Sequence, residues 1–190
     1  MAYADTFRFW FIGLYCFGFG AFGIMVARLR PRRGMIEKKK GPLPTPGILI
    51  PLGIPLLILV TQFGEMNVAF FSLRLAAAVL SGYFLIMMPW MMSTLGRFAV
   101  PGSGVYSDHR LVTTGPYRYL RHPLYSAAIV LWLSAGLGTV NWLLLALWPL
   151  FAIASILLPV RHEEELLREK FGAEYERYAA QTARLIPGVF

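Results

Sequence analysis

Two short islands of an otherwise apolar chain are dense in side chains able to do polar chemistry. The first reads Asp108-His109-Arg110-Leu111-Val112-Thr113-Thr114-Gly115-Pro116-Tyr117-Arg118-Tyr119-Leu120-Arg121-His122-Pro123-Leu124-Tyr125 and leads straight into an apolar stretch. Gly115-Pro116 marks a turn, and Pro123 suits the first position of a helix, where its missing N–H costs nothing. His122 then falls where the helix start leaves backbone N–H groups free, and it can either cap them or serve a ligand. The second island is Arg161-His162-Glu163-Glu164-Glu165, followed by Leu167, Phe171, Tyr175 and Tyr178 in one helical stripe. Carrying that stripe back by four reaches Glu163, which is expected to face inward. Glu164 is expected to pair with Arg168 on the surface, and Glu164 and Glu165 to complement the helix dipole. Cys16 is the only cysteine, so neither a disulfide nor a cysteine-based metal site is expected; it reads as packing.

Five apolar helices are expected to frame these islands. With 57% hydrophobic and 15% charged residues, the 190-residue chain carries more apolar surface than a soluble domain can hide. About 20 apolar residues cross a bilayer as a helix. The spans are Phe7 to Ala27, about Thr45 to Thr61, about Val68 to Thr94, Pro123 to Thr139 and Trp142 to Leu158. Pro46, Pro51 and Pro55 are expected to kink the second or delay its start. Only Val140 and Asn141 separate the last two, which makes a tight hairpin. The first span outruns a signal peptide's apolar core and arginines follow it, so it is expected to be retained.

Charge placement orients this frame. Sixteen of the 18 Lys and Arg fall within residues 28–40, 95–122 and 161–190, and none within 62–67 or 140–141. Five crossings put the three basic stretches on one side, cytoplasmic by the positive-inside rule, with the N-terminus outside. Arg8 and Arg74 lie elsewhere, and Arg74 is expected to snorkel from a span's outer end. The net charge of +8 flanks the spans, which suits anionic lipid and not nucleic acid. The expected architecture is an all-α integral membrane protein with one domain, residues 1–190. Residues 1–95 hold three transmembrane helices; residues 96–190 hold a cytoplasmic loop, the hairpin 123–158 and a C-terminal amphipathic helix.

Gly115–Tyr125, taken with Glu163-Glu164, Phe171-Gly172, Tyr175, Tyr178 and Arg184-Leu185-Ile186-Pro187, resembles the isoprenylcysteine carboxyl methyltransferase and phospholipid methyltransferase superfamily. The likeness covers roughly residues 105–187, and the first 95 residues match only as membrane spans. It implies S-adenosylmethionine as cofactor, enclosed under the cytoplasmic C-terminal elements. The implied cofactor contacts are His109, Arg110, Leu111, Val112, Tyr117, His122, Pro123, Leu124, Tyr125 and Glu163. The cofactor's α-ammonium and sulfonium are cationic, which suits a partly buried Glu163 and the faces of Tyr117 and Tyr125. Glu163 and Arg161 are the catalytic candidates. The carboxyl methyltransferases carry an arginine four residues before the first inward glutamate, where this chain has Pro159. Arg161 could replace it only if Pro159 breaks the helix, because two residues turn a helix by about 200°.

Methyl transfer from a sulfonium is an in-line displacement that depends on positioning and desolvation. The implied partners are membrane lipid and a lipid-like or prenylated acceptor: a prenylated-cysteine carboxylate, a phospholipid amine, or a small hydrophobic thiol or acid. No metal is expected. An NADPH-dependent membrane reductase shares a related C-terminal architecture, but no phosphate-binding arginine set stands out. A non-enzymatic membrane scaffold is the third reading, and the spans lack the paired ionisable residues of an ion path.

Overall fold

A computed structural model of the chain describes residues 2–28, 46–66, 70–96, 110–155 and 160–186. Among these residues the elements are α1 (Ala2–Arg28), α2 (Pro46–Thr61), α3 (Phe71–Leu95), a 3-10 turn (Gly115–Arg118), α4 (Pro123–Gly138), α5 (Trp142–Ser155), α6 (Arg161–Phe171) and α7 (Ala173–Gln181). The described chain is all-helical, with two isolated backbone bridges and no longer strand. Helix α2 begins at Pro46 and continues through Pro51 and Pro55 to Thr61, so the prolines do not delay its start. Phe71–Leu95 is long and apolar enough to cross a bilayer, and Pro123–Gly138 is a shorter apolar helix. Large apolar side chains stay uncovered on the helix exteriors, with Phe71 80% and Val79 69% exposed.

Apolar helices could slide past one another, and a few internal hydrogen bonds prevent it. Ser134 Oγ donates to the Ala77 carbonyl at 2.7 Å, and the Tyr83 and Ser126 hydroxyls pair at 2.9 Å. Ser126 and Ser134 are buried. A buried hydroxyl without a partner is costly, so these contacts select one antiparallel register of α3 on α4. Trp132 Nε1 donates to the Leu144 carbonyl and Trp148 Nε1 to that of Ile129, which closes α4 and α5 into the expected hairpin.

At the hairpin turn Asn141 is fully buried. Its Oδ1 accepts the Leu144 N–H at 3.0 Å, capping α5, while its Nδ2 donates to the Phe63 carbonyl at 2.9 Å. The α2–α3 turn is thereby tied to the hairpin. Arg8 and Glu65 pair nearby at 3.9 Å, and Arg74 lies over the Phe7 ring, so both cations outside the basic stretches gather at this pole. Replacing Asn141 by alanine leaves the Leu144 N–H and the Phe63 carbonyl without these partners. The expected loss is about 1–3 kcal/mol, read as earlier thermal unfolding in detergent; an unchanged melting curve would refute this account of the turn.

Candidate functional site

The site forms at the opposite pole, where α4 begins. Gly115 has φ +58°, and a Cβ there would run into the Thr94 side chain, so glycine lets the 3-10 turn settle on the end of α3. Pro116 and Tyr117 are buried by that docking. His122 occupies the N-cap position of α4 but makes no side-chain cap bond. Its imidazole is committed elsewhere.

The single C-terminal amphipathic helix expected from the sequence is two helices. Gly172 separates them at φ +50° and ψ −124°, a conformation open to glycine and costly for any other residue. Beyond α7 the chain runs beside the start of α4. Arg121 N–H donates to the Ala183 carbonyl at 2.8 Å, and His122 N–H to that of Arg184 at 3.1 Å. The Tyr178 hydroxyl donates to the Tyr117 carbonyl at 2.8 Å. These bonds bring the two polar islands and the C-terminal segment together.

Glu164, expected on the surface, is 1% exposed. Its Oε1 accepts Arg121 Nε at 2.9 Å and Arg184 Nε at 3.1 Å; its Oε2 accepts Arg184 Nη2 at 2.7 Å and Arg168 Nη2 at 3.4 Å. The Arg168 pair is present as expected, but as one wall of a buried cage. Arg121 Nη1 also donates to the Ala179 and Thr182 carbonyls, anchoring the end of α7. Counting back from Leu167 by four picks out Glu163, yet Glu164 lies three before Leu167 and seven before Phe171. At 3.6 residues per turn both glutamates border the stripe. The sequence signal was there in the threes and sevens.

Glu163 looks the other way around the helix. Its Oε1 accepts the Tyr125 hydroxyl at 2.9 Å, its Oε2 lies 3.4 Å from His122 Nδ1, and its side chain keeps 26% exposure. His122 thus sits between two carboxylates, with Nε2 3.4 Å from Glu164 Oε1. Burial alone would lower the imidazole pKa, but the facing carboxylates of Glu163 and Glu164 outweigh it and raise the value above the ordinary one. Burial likewise opposes the Glu164 charge. The nearby His122, Arg184 and Arg121 overcome it and hold the carboxyl well below the usual range. Burial, helped by the Glu163 charge, pushes the Tyr117 hydroxyl up, and burial takes that of Tyr178 to about 12.

Of the residues singled out in the sequence, the structure gathers His122, Tyr125 and Glu163 by direct contact, with the ring of Tyr125 edge-on to His122 at 6.0 Å. Tyr117 and Pro123 are buried beside them, Leu111, Val112 and Leu124 are half-buried, and Arg110 is exposed. His109 and Pro159 lie outside the described residues. Arg161, which could serve only by swinging inward, is exposed at the first position of α6. No bond joins it to the cluster among the described residues, as its angular separation from Glu163 requires. Arg121, Arg168 and Arg184 are the arginines that reach the site, all through Glu164.

A family model described as phospholipid methyltransferase matches residues 55–174. Two probable protein-S-isoprenylcysteine O-methyltransferases, from Oryza sativa subsp. indica and subsp. japonica, are each 37% identical over 89 residues. That is 43% of this chain and 44% of each rice protein. The nickel-cobalt-cadmium resistance protein NccN of Alcaligenes xylosoxydans xylosoxydans is 37% identical over 98 residues, 50% of this chain and 45% of that protein. The matched stretches thus span less than half the length of these curated relatives.

Removing the Glu164 charge leaves three arginines without their shared anion. Glu164→Gln is expected to cost about 2–3 kcal/mol, below the usual figure for a buried pair because Arg168 and Arg184 keep some water. Glu165→Gln on the exposed face should stay within about 0.5 kcal/mol. The folded carboxyl is held below its unfolded value. Its stabilisation is therefore complete above the ordinary carboxylate range and drains as pH falls below it. The raised His122 works in the opposite sense, stabilising fully below the ordinary imidazole value and losing its contribution as pH rises past it. Thermal unfolding across pH checks both signs, and a Glu164→Gln protein as stable as wild type at neutral pH would refute the cage.

Proposed function

The chain belongs to the phospholipid methyltransferase family, and from that premise we propose that it is a membrane-embedded enzyme moving a methyl group from S-adenosylmethionine to a lipophilic acceptor. The observation that carries this reading is the open side of Glu163. That carboxylate is held by Tyr125 and faced by His122, yet it keeps a quarter of its side-chain surface free. A cationic ligand suits it, because charge-assisted bonds to a partly buried carboxylate are strong ones. Glu164, saturated by arginines, has no room for such a ligand.

Bound S-adenosylmethionine supplies an electrophilic methyl on a sulfonium. The chain's own residues then bind and orient. Glu163 takes the α-ammonium, and Tyr125 fixes the direction in which Glu163 points. The rings of Tyr117 and Tyr125 offer aromatic faces to positive charge. The stretch Arg110–Val112, the His122–Leu124 run and His109 complete the proposed contacts. Burial of Tyr117, Pro123 and Tyr125 keeps water from the apolar side, where positioning and desolvation lower the barrier.

The acceptor enters from the bilayer, and the printed names of the rice relatives favour an isoprenylated cysteine carboxylate as its class. In this reading α1 to α5 are the five spans of a single domain, with the N-terminus outside and α6 and α7 on the cytoplasmic face. The apolar length of α3 and the uncovered side chains of its exterior support it.

Calorimetric titration of the detergent-purified chain with S-adenosylmethionine tests the donor. Glu163→Gln should weaken binding by about tenfold to a hundredfold, the worth of a charge-assisted bond, while Glu165→Gln leaves it unchanged. Methyl label presented with total membrane extract should move into a lipid-soluble product. A wild-type protein that neither binds the donor nor transfers label ends the proposal.

A further inference from the structure

Glu164 offers about four acceptor directions, and arginines take all of them. Arg184 alone takes two, gripping both oxygens with Nε and Nη2. His122 Nε2 stands 3.4 Å from Oε1, is buried, and has no hydrogen-bond partner. The arginines hold the acceptor directions that Nε2 could otherwise use. Its other nitrogen faces Glu163, the carboxylate proposed to take the donor. Arg184 lies beyond residue 174, the last one that the family model matches.

We propose that Arg184 is a positioning residue of the donor site: its two-pronged hold keeps Glu164 from capturing His122, and so leaves His122 able to release Glu163 to a cationic donor. The inference rests on the donor reading above and adds a regulator to it.

A protonated His122 and a cationic donor compete for one carboxylate. Removing Arg184 deletes a nearby cation and frees two acceptor directions on Glu164, which Nε2–H can then use. Both changes favour the imidazolium. The charged groups facing His122 are Glu163 and Glu164 from α6, Arg121 from its own loop and Arg184 from the C-terminal segment. Arg168 acts on it only through Glu164. The Tyr125 ring packs edge-on from α4. Tyr117, Tyr175 and Tyr178, whose hydroxyls are pushed up chiefly by burial, add no charge near neutral pH.

The experiment follows the His122 ring by NMR in the intact protein, with His122→Asn assigning the signal, beside calorimetry with S-adenosylmethionine. Arg184→Ala should move the titration midpoint of His122 upward and Glu164→Gln should move it downward. In the double variant the part of the Arg184 effect that runs through Glu164 should be lost, leaving only the smaller shift from the deleted charge. Donor affinity of Arg184→Ala should fall about tenfold near pH 6 and return to within about twofold of wild type near pH 9. Arg184→Lys should recover part of the loss, restoring the charge without the fork. A midpoint that moves down in Arg184→Ala, or an affinity loss equal at every pH, is what a loosened C-terminal segment gives and would overturn the proposal. The midpoint is read without donor. A wild-type protein that binds no donor therefore sinks the donor reading, while the direction of the midpoint still decides whether Arg184 restrains His122.

Discussion

A carboxylate with 1% of its surface exposed must be compensated from within the protein. Stripping an ion of water costs several kcal/mol even after relaxation, and only close, well-aligned charges return that cost. At Glu164 the compensation comes from three separate segments: Arg121 before α4, Arg168 one turn along α6, and Arg184 after α7. Each guanidinium brings its backbone with it. The main-chain bonds between residues 121–122 and 183–184 complete the closure. An apolar cluster of similar volume could be as stable, but it would not fix the register among these segments. Any slip of one past another would leave a buried charge unpaired.

Two neighbouring glutamates of identical chemistry are given different tasks by this arrangement. One helical step separates their directions by about 100°. Glu164 meets the arginine cage and becomes a fixed anion, whereas Glu163 meets a phenol, an imidazole and open space. His122 lies between them and couples the two. One short segment can thus carry both a structural charge and a carboxylate left open to a ligand.

The frame was largely legible in the sequence because its signals are local. Apolar run length placed the five long helices within a few residues, Pro123 marked the start of α4, and the Val140-Asn141 break marked the hairpin. The site was legible in part. His122, Tyr125 and Glu163 were singled out and do meet. Glu164 was misplaced because a straight helix counted in fours puts it on the rim. Gly172 lies inside an apolar stripe that runs on past it, which hides the break that lets the chain after α7 return over Glu164. Arg184 carried no periodic signal at all. Its partner lies 20 positions away in the chain, and only the backbone pairing with residues 121–122 brings it there.

The location of the cluster follows from the same constraint. The half-open Glu163 and the partly exposed Arg168 and Arg184 need water as well as one another, so the cluster gathers where α4 begins and its chain leaves the apolar pack. The register of α3 on α4, set by Ala77 with Ser134 and by Tyr83 with Ser126, brings the buried apolar wall directly up to Tyr125. Tyr125 therefore belongs to both environments: its ring packs among apolar residues while its hydroxyl holds Glu163. In the proposed reaction a polar donor and an apolar acceptor have to meet without either being wholly desolvated by the wrong solvent. A residue that is hydrocarbon on one side and hydrogen-bonded to a half-open carboxylate on the other is where that meeting costs least.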